Sequence, residues 1–159
     1  MLHLIPAPLH RTLYRVADRL RRQWWRVRRP RRASVVVAAF DADGRVLLVR
    51  HSYGPPVWAL PGGGIGRNEE PAAGAAREFR EELGCELVDI RALGVCEQDE
   101  SGARDVLHLF AAALAGTPVP DMREIVAVEV FEPDALPRPC DRRVRPAIDQ
   151  ALATPSQQR

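Results

Sequence analysis

The stretch from Tyr53 to Gly84 limits the possible folds more than any other part of the sequence. From Tyr53 through Gly66 glycine and proline are dense, and the run Trp58-Ala-Leu-Pro-Gly-Gly-Gly64 must be an ordered loop with a short extended piece in it. Directly after it, Glu69 to Leu83 reads as a helix. Acids stand in its first turn, alanines occupy 72, 73, 75 and 76, and Gly84 lies where a left-handed cap would stop it. Ala72, Ala76, Phe79 and Leu83 mark the stripe it would bury.

The flanking segments supply what that stripe needs to cover. Ser34 to Phe40 is valine-rich, Asp41–Gly44 carries turn chemistry, and Arg45 to Arg50 is a second apolar run, which together predict a two-stranded hairpin. Segments near 86–98, 105–115 and 125–131 read as further strands, and Arg142 to Leu152 as a final helix. The order helix, strands, helix, strands, helix predicts an α/β fold with a mixed sheet between helices. A length of 159 residues suits one such domain, and 46% apolar with 28% charged residues excludes general disorder.

Residues 1–32 are set apart by charge. They hold ten arginines against a single acid, Asp18, a balance of +9 that leaves −7 for the remainder of a chain whose net charge is +2. Leu9, Leu13, Val16, Leu20, Trp24 and Val27 recur at helical spacing with arginines beside them, and Pro30 should end the helix. Such a basic amphipathic helix, preceding a domain over 33–159, admits three uses: packing its stripe on the domain or on a partner subunit of a homodimer, lying on an anionic membrane surface, or contacting nucleic acid. Packing is the expectation, because an amphipathic helix finds a protein surface first. No apolar run approaches the ~18 residues of a membrane span and no signal-peptide core follows the arginines, so a cytoplasmic location is expected. Cys85, Cys96 and Cys140 lack the close pairing of a zinc or redox motif and are expected as buried, reduced thiols.

On the 69–83 helix, Glu78, Glu81 and Glu82 stand at i, i+3 and i+4, within one sector at about 100° per residue. Like charges at these spacings repel, and Arg77 and Arg80 cannot neutralise the whole cluster. A divalent cation would remove the repulsion, and oxygen-only ligands suit Mg²⁺ or Mn²⁺. For the spacing alone, an acidic edge on a solvated helix is the better account.

The ordered context is more specific. Gly63, five residues, Glu69, seven residues, then Arg77-Glu78-Phe79-Arg80-Glu81-Glu82-Leu83-Gly84-Cys85 resembles the Nudix box, with every fixed glycine and polar position matched. Phe79 and Cys85 depart from the commoner Leu, Ile or Val and remain apolar. The likeness in general layout runs from about Ser34 to Pro137 and leaves residues 1–33 outside. It implies a Nudix α/β/α sandwich and a pyrophosphohydrolase acting on a nucleoside diphosphate linked to another group. It further implies metal ions held by Glu78, Glu81 and Glu82 with the Gly63 carbonyl, and an Arg77–Glu69 pair fixing loop to helix. Glu81, Glu82 and Arg77 would serve catalysis. Glu124, in Arg-Glu-Ile before a strand, resembles a downstream glutamate that family members place near the metals, though a glutamate at a strand start has an ordinary explanation too.

The substrate is not written in the motif. No proline occurs between Cys85 and Thr117 and the last tyrosine is Tyr53, so neither the ADP-ribose nor the dinucleoside polyphosphate pattern of the family is present. Trp58 reads as core, His51 and Tyr53 as loop residues near the site, and His108 as a strand histidine. The competing view of the whole chain is a membrane- or nucleic-acid-associated adaptor that works through residues 1–32.

Overall fold

The computed structural model describes residues 7–100 and 102–154. Its elements are α1 (Ala7–Arg28), β1 (Arg31–Phe40), β2 (Val46–His51), β3 (Gly62–Gly64), α2 (Pro71–Leu83), β4 (Glu86–Glu100), β5 (Ala103–Ala115), β6 (Ile125–Phe131) and α3 (Val144–Ala153). Alternation along the strands divides the interior in two. Val35, Val37, Ala39, Leu47, Val49, Phe110 and Ala112 face Ala75, Phe79 and Leu83 of α2. Ala38, Val46, Leu48 and Ala111 face Val144, Ala147, Ile148 and Ala151 of α3. Strands apolar on both faces need a helix on each side, and the result is the α/β/α sandwich.

The sheet runs β4-β5-β1-β2-β6, with β3 paired to β1. Among the named strands of the described residues, β1 and β5 are the pair that runs parallel, from Arg31 beside Arg104 to Phe40 beside Ala113. The hairpin expected over 34–50 forms in part. β1 and β2 meet at the turn, Phe40 opposite Val46, where the Asp41 carbonyl accepts from the Gly44 amide at 3.1 Å. They then part, and the Gly/Pro loop enters between them: Gly62–Gly64 pairs with Ser34–Val36, the Val37 amide donates to the Pro61 carbonyl at 3.0 Å, and Ala59 bridges to Val49. Gly62 allows this approach, since a Cβ there would lie 2.1 Å from the Val35 carbonyl oxygen.

Three other expectations are corrected. The buried face of α2 is Gly74, Ala75, Phe79, Glu82 and Leu83, turned from the one anticipated, with Ala72 and Ala76 half-buried. Of the three free cysteines only Cys85 is buried, while Cys96, on the edge strand β4, is exposed and Cys140 intermediate. The apolar stripe of α1 does not pack on the domain. Leu13, Val16, Leu20, Trp24 and Val27 are exposed, and the helix instead buries Asp18 and Trp25; Leu9 lies outside the side chains described. Trp25 sits under the Arg32 guanidinium, 4.0 Å from its ring centre, with Arg21 at 5.1 Å. The face of α1 turned to the domain is thus the one with these cation–π contacts, not the apolar one that periodicity suggested.

Candidate active site

The geometry of the site starts at the entry to α2. Glu70 caps the helix, its carboxylate accepting from the Ala73 amide at 3.0 Å, Pro71 opens it, and Gly84 closes it at φ 60° with its amide donating to the Arg80 carbonyl. Upstream, Glu69 receives a two-pronged donation from Arg77, Nε to Oε1 at 2.8 Å and Nη2 to Oε2 at 3.0 Å, and also accepts from the Gly66 amide at 2.6 Å. Arg77 Nη2 reaches the Gly64 carbonyl at 3.0 Å, and its Nη1 donates to Glu78 at 2.9 Å and Glu81 at 3.2 Å. One guanidinium therefore ties the 62–66 loop, the helix start and two of the glutamates together. The same pairing holds the Glu69 carboxyl down at about 2, through Arg77 first and the Gly66 amide second.

Gly63 is a glycine because of Glu78. A Cβ at 63 would lie 2.4 Å from the Glu78 carboxyl carbon, so the carboxylate occupies the space any side chain would need. Glu82 is only 7% exposed. Burial pushes its carboxyl up to about 9, and the charges of Glu124, Glu78, Asp121 and Glu81 add to the effect in that order. Burial likewise raises Glu78, against the pull of Arg77.

Glu124 is carried in by the far end of α2. The Val119 and Asp121 amides donate to the last carbonyls of the helix, Leu83 and Glu82, at 2.8 and 2.9 Å. Asp121 Oδ1 in turn accepts from the amides of Arg123, Glu124 and Ile125. The Ser52 amide donates to the Glu124 carbonyl at 2.8 Å, and the Tyr53 hydroxyl donates to Glu124 Oε1. Burial, then Glu124, raises the Tyr53 phenol, which stays protonated.

These groups open on one cleft of about 590 Å³, lined by Gly63, Glu78, Glu81, Glu82, Glu124 and Tyr53 among others. Arg77 and Glu69 are not part of its wall and act from behind it. His51, expected near the site, also lines the cleft, and further lining residues lie outside the motif and its loop. Asp18, Arg21 and Trp25 of α1 contribute a wall, and Arg32, Arg143 and Asp105 join them. Asp105 is buried, accepts from Ser34 Oγ at 2.5 Å and Gln98 Nε2 at 3.0 Å, and leaves Oδ1 without a protein partner. None has a short-range signal, since they arrive from α1, β1, β5 and the entry to α3. Trp58 is half-buried edge-on to Phe131, ring centres 5.1 Å apart, and His108 is a half-buried strand residue of β5, as expected for both.

Among the described residues no three His, Cys, Asp or Glu side chains enclose a metal position as they stand. Arg77 lies between Glu78 and Glu81, which accounts for their spacing. The donor set nevertheless fits a hard divalent cation: it is all oxygen, and Glu82 is buried among carboxylates with no cationic partner of its own among its neighbours.

A profile of the NUDIX domain matches residues 30–151, most of the chain. The chain belongs to the Nudix family. The Nudix fold is also that of solved structures. The MutT NUDIX hydrolase from Burkholderia pseudomallei superposes with a TM-score of 0.68 at 29% identity, over 76% of this chain and 97% of that one. Among curated Nudix relatives, diphosphoinositol polyphosphate phosphohydrolase 2 of Rattus norvegicus is 35% identical over 80 residues, 50% of this chain and 45% of the relative. The human 3-alpha protein of that name is 40% identical over 70 residues, 44% of this chain and 43% of the relative. The chain thus spans a little under half the length of the curated relatives it matches.

Proposed function

We propose that this Nudix protein is a pyrophosphohydrolase that uses Mg²⁺ or Mn²⁺ to split the phosphoanhydride link of a nucleoside diphosphate joined to another group. Glu78, Glu81 and Glu82, with the Gly63 carbonyl, would hold the cation, which when bound polarises phosphate oxygens and makes water a better nucleophile. The observation that carries the reading is the burial of Glu82 among four other carboxylates beside a glycine that leaves room for Glu78.

The chain's own groups have definable tasks. Arg77 positions the carboxylates and the Gly64 carbonyl from outside the cleft. Glu124, one oxygen held by the Tyr53 hydroxyl, accepts the proton of the attacking water. As the water oxygen bonds to phosphorus, the bridging P–O bond breaks and the departing phosphate keeps the electron pair. Arg21, Arg32 and Arg143 along the cleft offset phosphate charge. A second, more heavily phosphorylated substrate class comes from the curated relatives, which are named for diphosphoinositol polyphosphates. A cytoplasmic setting fits three unpaired thiols.

The test is a panel of nucleotide sugars, nucleoside triphosphates, dinucleotides and diphosphoinositol phosphates assayed with Mg²⁺ or Mn²⁺, beside Glu81→Gln and Glu82→Gln. Each variant should lose on the order of a hundredfold in kcat on the preferred substrate. Equal turnover by wild type and both variants would remove the metal site from the account. No turnover of any member would favour the adaptor reading.

A further inference from the structure

The two sides of α1 have different fates. Its inner side is fixed: Asp18 and Trp25 are buried, and the β4–β5 turn presses on the helix so closely that a Cβ on Gly102 would lie 2.8 Å from Arg26 Cα. Its outer side carries Leu13, Val16, Leu20, Trp24 and Val27, with exposures of 51, 49, 63, 54 and 79%. At about 100° per residue these five fall in one sector opposite Asp18 and Trp25. Arg19 and Arg26 run along one flank and Arg28 along the other, all exposed. The only acid of the helix is turned inward.

We propose that α1 docks this protein on an anionic lipid surface, lying in the plane of the interface with the Leu13–Val27 ridge sunk among the acyl chains and the flanking arginines at the headgroups. A hydrophobic ridge bordered by cations, with a tryptophan in it, is the pattern that such a boundary rewards. Among the described residues no helix is long and apolar enough to cross a membrane, so adsorption and not spanning is the mode. The remainder of the chain carries −7 against +9 in residues 1–32, so the basic side turns toward anionic lipid and the acidic domain away from it.

The other occupants fit less well. A second copy laid on the ridge would set arginine rows beside arginine rows with no carboxylate between them. Nucleic acid would satisfy the arginines and leave five large apolar side chains in water. The proposal does not depend on which substrate the cleft hydrolyses.

Co-sedimentation of the full chain with vesicles tests it, comparing phosphatidylcholine alone with vesicles in which about a third of the lipid is phosphatidylglycerol. Wild type should pellet with the anionic vesicles at low salt and stay in solution with the neutral ones. Leu20→Glu/Val27→Glu and Arg19→Glu/Arg26→Glu should each lower the bound fraction about tenfold. Both variants should keep the wild-type helical circular dichroism, which guards against misfolding as the cause. Failure of wild type to pellet with anionic vesicles, or equal pelleting by the ridge variant, would overturn the proposal. So would sedimentation velocity showing a dimer that Leu20→Glu/Val27→Glu dissolves, which would assign the ridge to a second copy. Binding of duplex or single-stranded RNA by wild type and ridge variant alike, without vesicle binding, would assign the arginines to nucleic acid.

Discussion

A Cβ at position 63 would stand 2.4 Å from the Glu78 carboxyl carbon, so Gly63→Ala must push that carboxylate or the 62–64 strand aside. Misplacement of this size should cut kcat on the order of a hundredfold while the thermal midpoint moves little, a contrast read by steady-state kinetics beside thermal melting. Glu82 gives a pH signature. Its carboxyl, ordinarily at 4.5, sits at about 9 in the fold, so the folded state holds this proton more tightly than the unfolded chain. The associated stability is complete below about 4.5 and is lost as pH climbs toward about 9. In EDTA the midpoint should therefore fall across that window, Glu82→Gln should flatten the fall, and Mg²⁺ should restore stability at the alkaline end. A wild-type curve as flat as that of the variant would show that Glu82 does not titrate there. Most of these residues were legible because Gly63 to Cys85 is a single run that resembles the Nudix box; helical periodicity alone put Glu78, Glu81 and Glu82 in one sector without deciding their role. Tyr53 was legible as a loop residue near the site, whereas Arg32, Asp105 and Arg143 were not, since only the folded sheet brings them to one cleft.

The C-terminal end of α2 is explicit in its residues, while its start falls at Pro71, after the Glu69 expected, because Glu70 serves as the cap. Gly84 occupies a left-handed position with nothing within 4 Å of a would-be Cβ, so Gly84→Ala carries backbone strain alone. It should cost about 1–2 kcal/mol in denaturant unfolding and leave kcat nearly unchanged. Arg77→Lys probes the other end: a single ammonium cannot serve Glu69, Gly64, Glu78 and Glu81 together, so kcat should drop without a matching rise in KM. Strands were readable from alternation and turn chemistry, β6 to the residue. The parting of β1 and β2 was not, because nothing local in the Gly/Pro loop says that Gly62 will lie against the Val35 carbonyl. Periodicity found the apolar face of α1 but carries no information about which way a face points, and a buried Trp25 held between two arginines decided it.

At the scale of the molecule, α1 and the sheet are joined at Gly102, whose φ of 91° and tight approach to Arg26 leave no room for a side chain. Gly102→Ala should loosen α1 from the β4–β5 turn. Because Asp18, Arg21 and Trp25 line the cleft, KM should rise while kcat holds within about twofold, and the tryptophan emission should shift to the red. The layer order was legible from the sequence of elements, whereas the share of α1 in the cleft lay beyond any pattern confined to residues 33–159. The parallel pairing of β1 with β5 has a consequence in time. Arg31 finds its neighbour only at Arg104, and Trp25 its seat only at the turn beside Gly102. A ribosome releases α1 and β1 well before β5 exists, so these two elements are made long before the segments that seat them. Until the middle of the chain has emerged, the apolar flank of β1 and the Trp25 side of α1 wait uncovered together, and that interval is when a chaperone has something to hold.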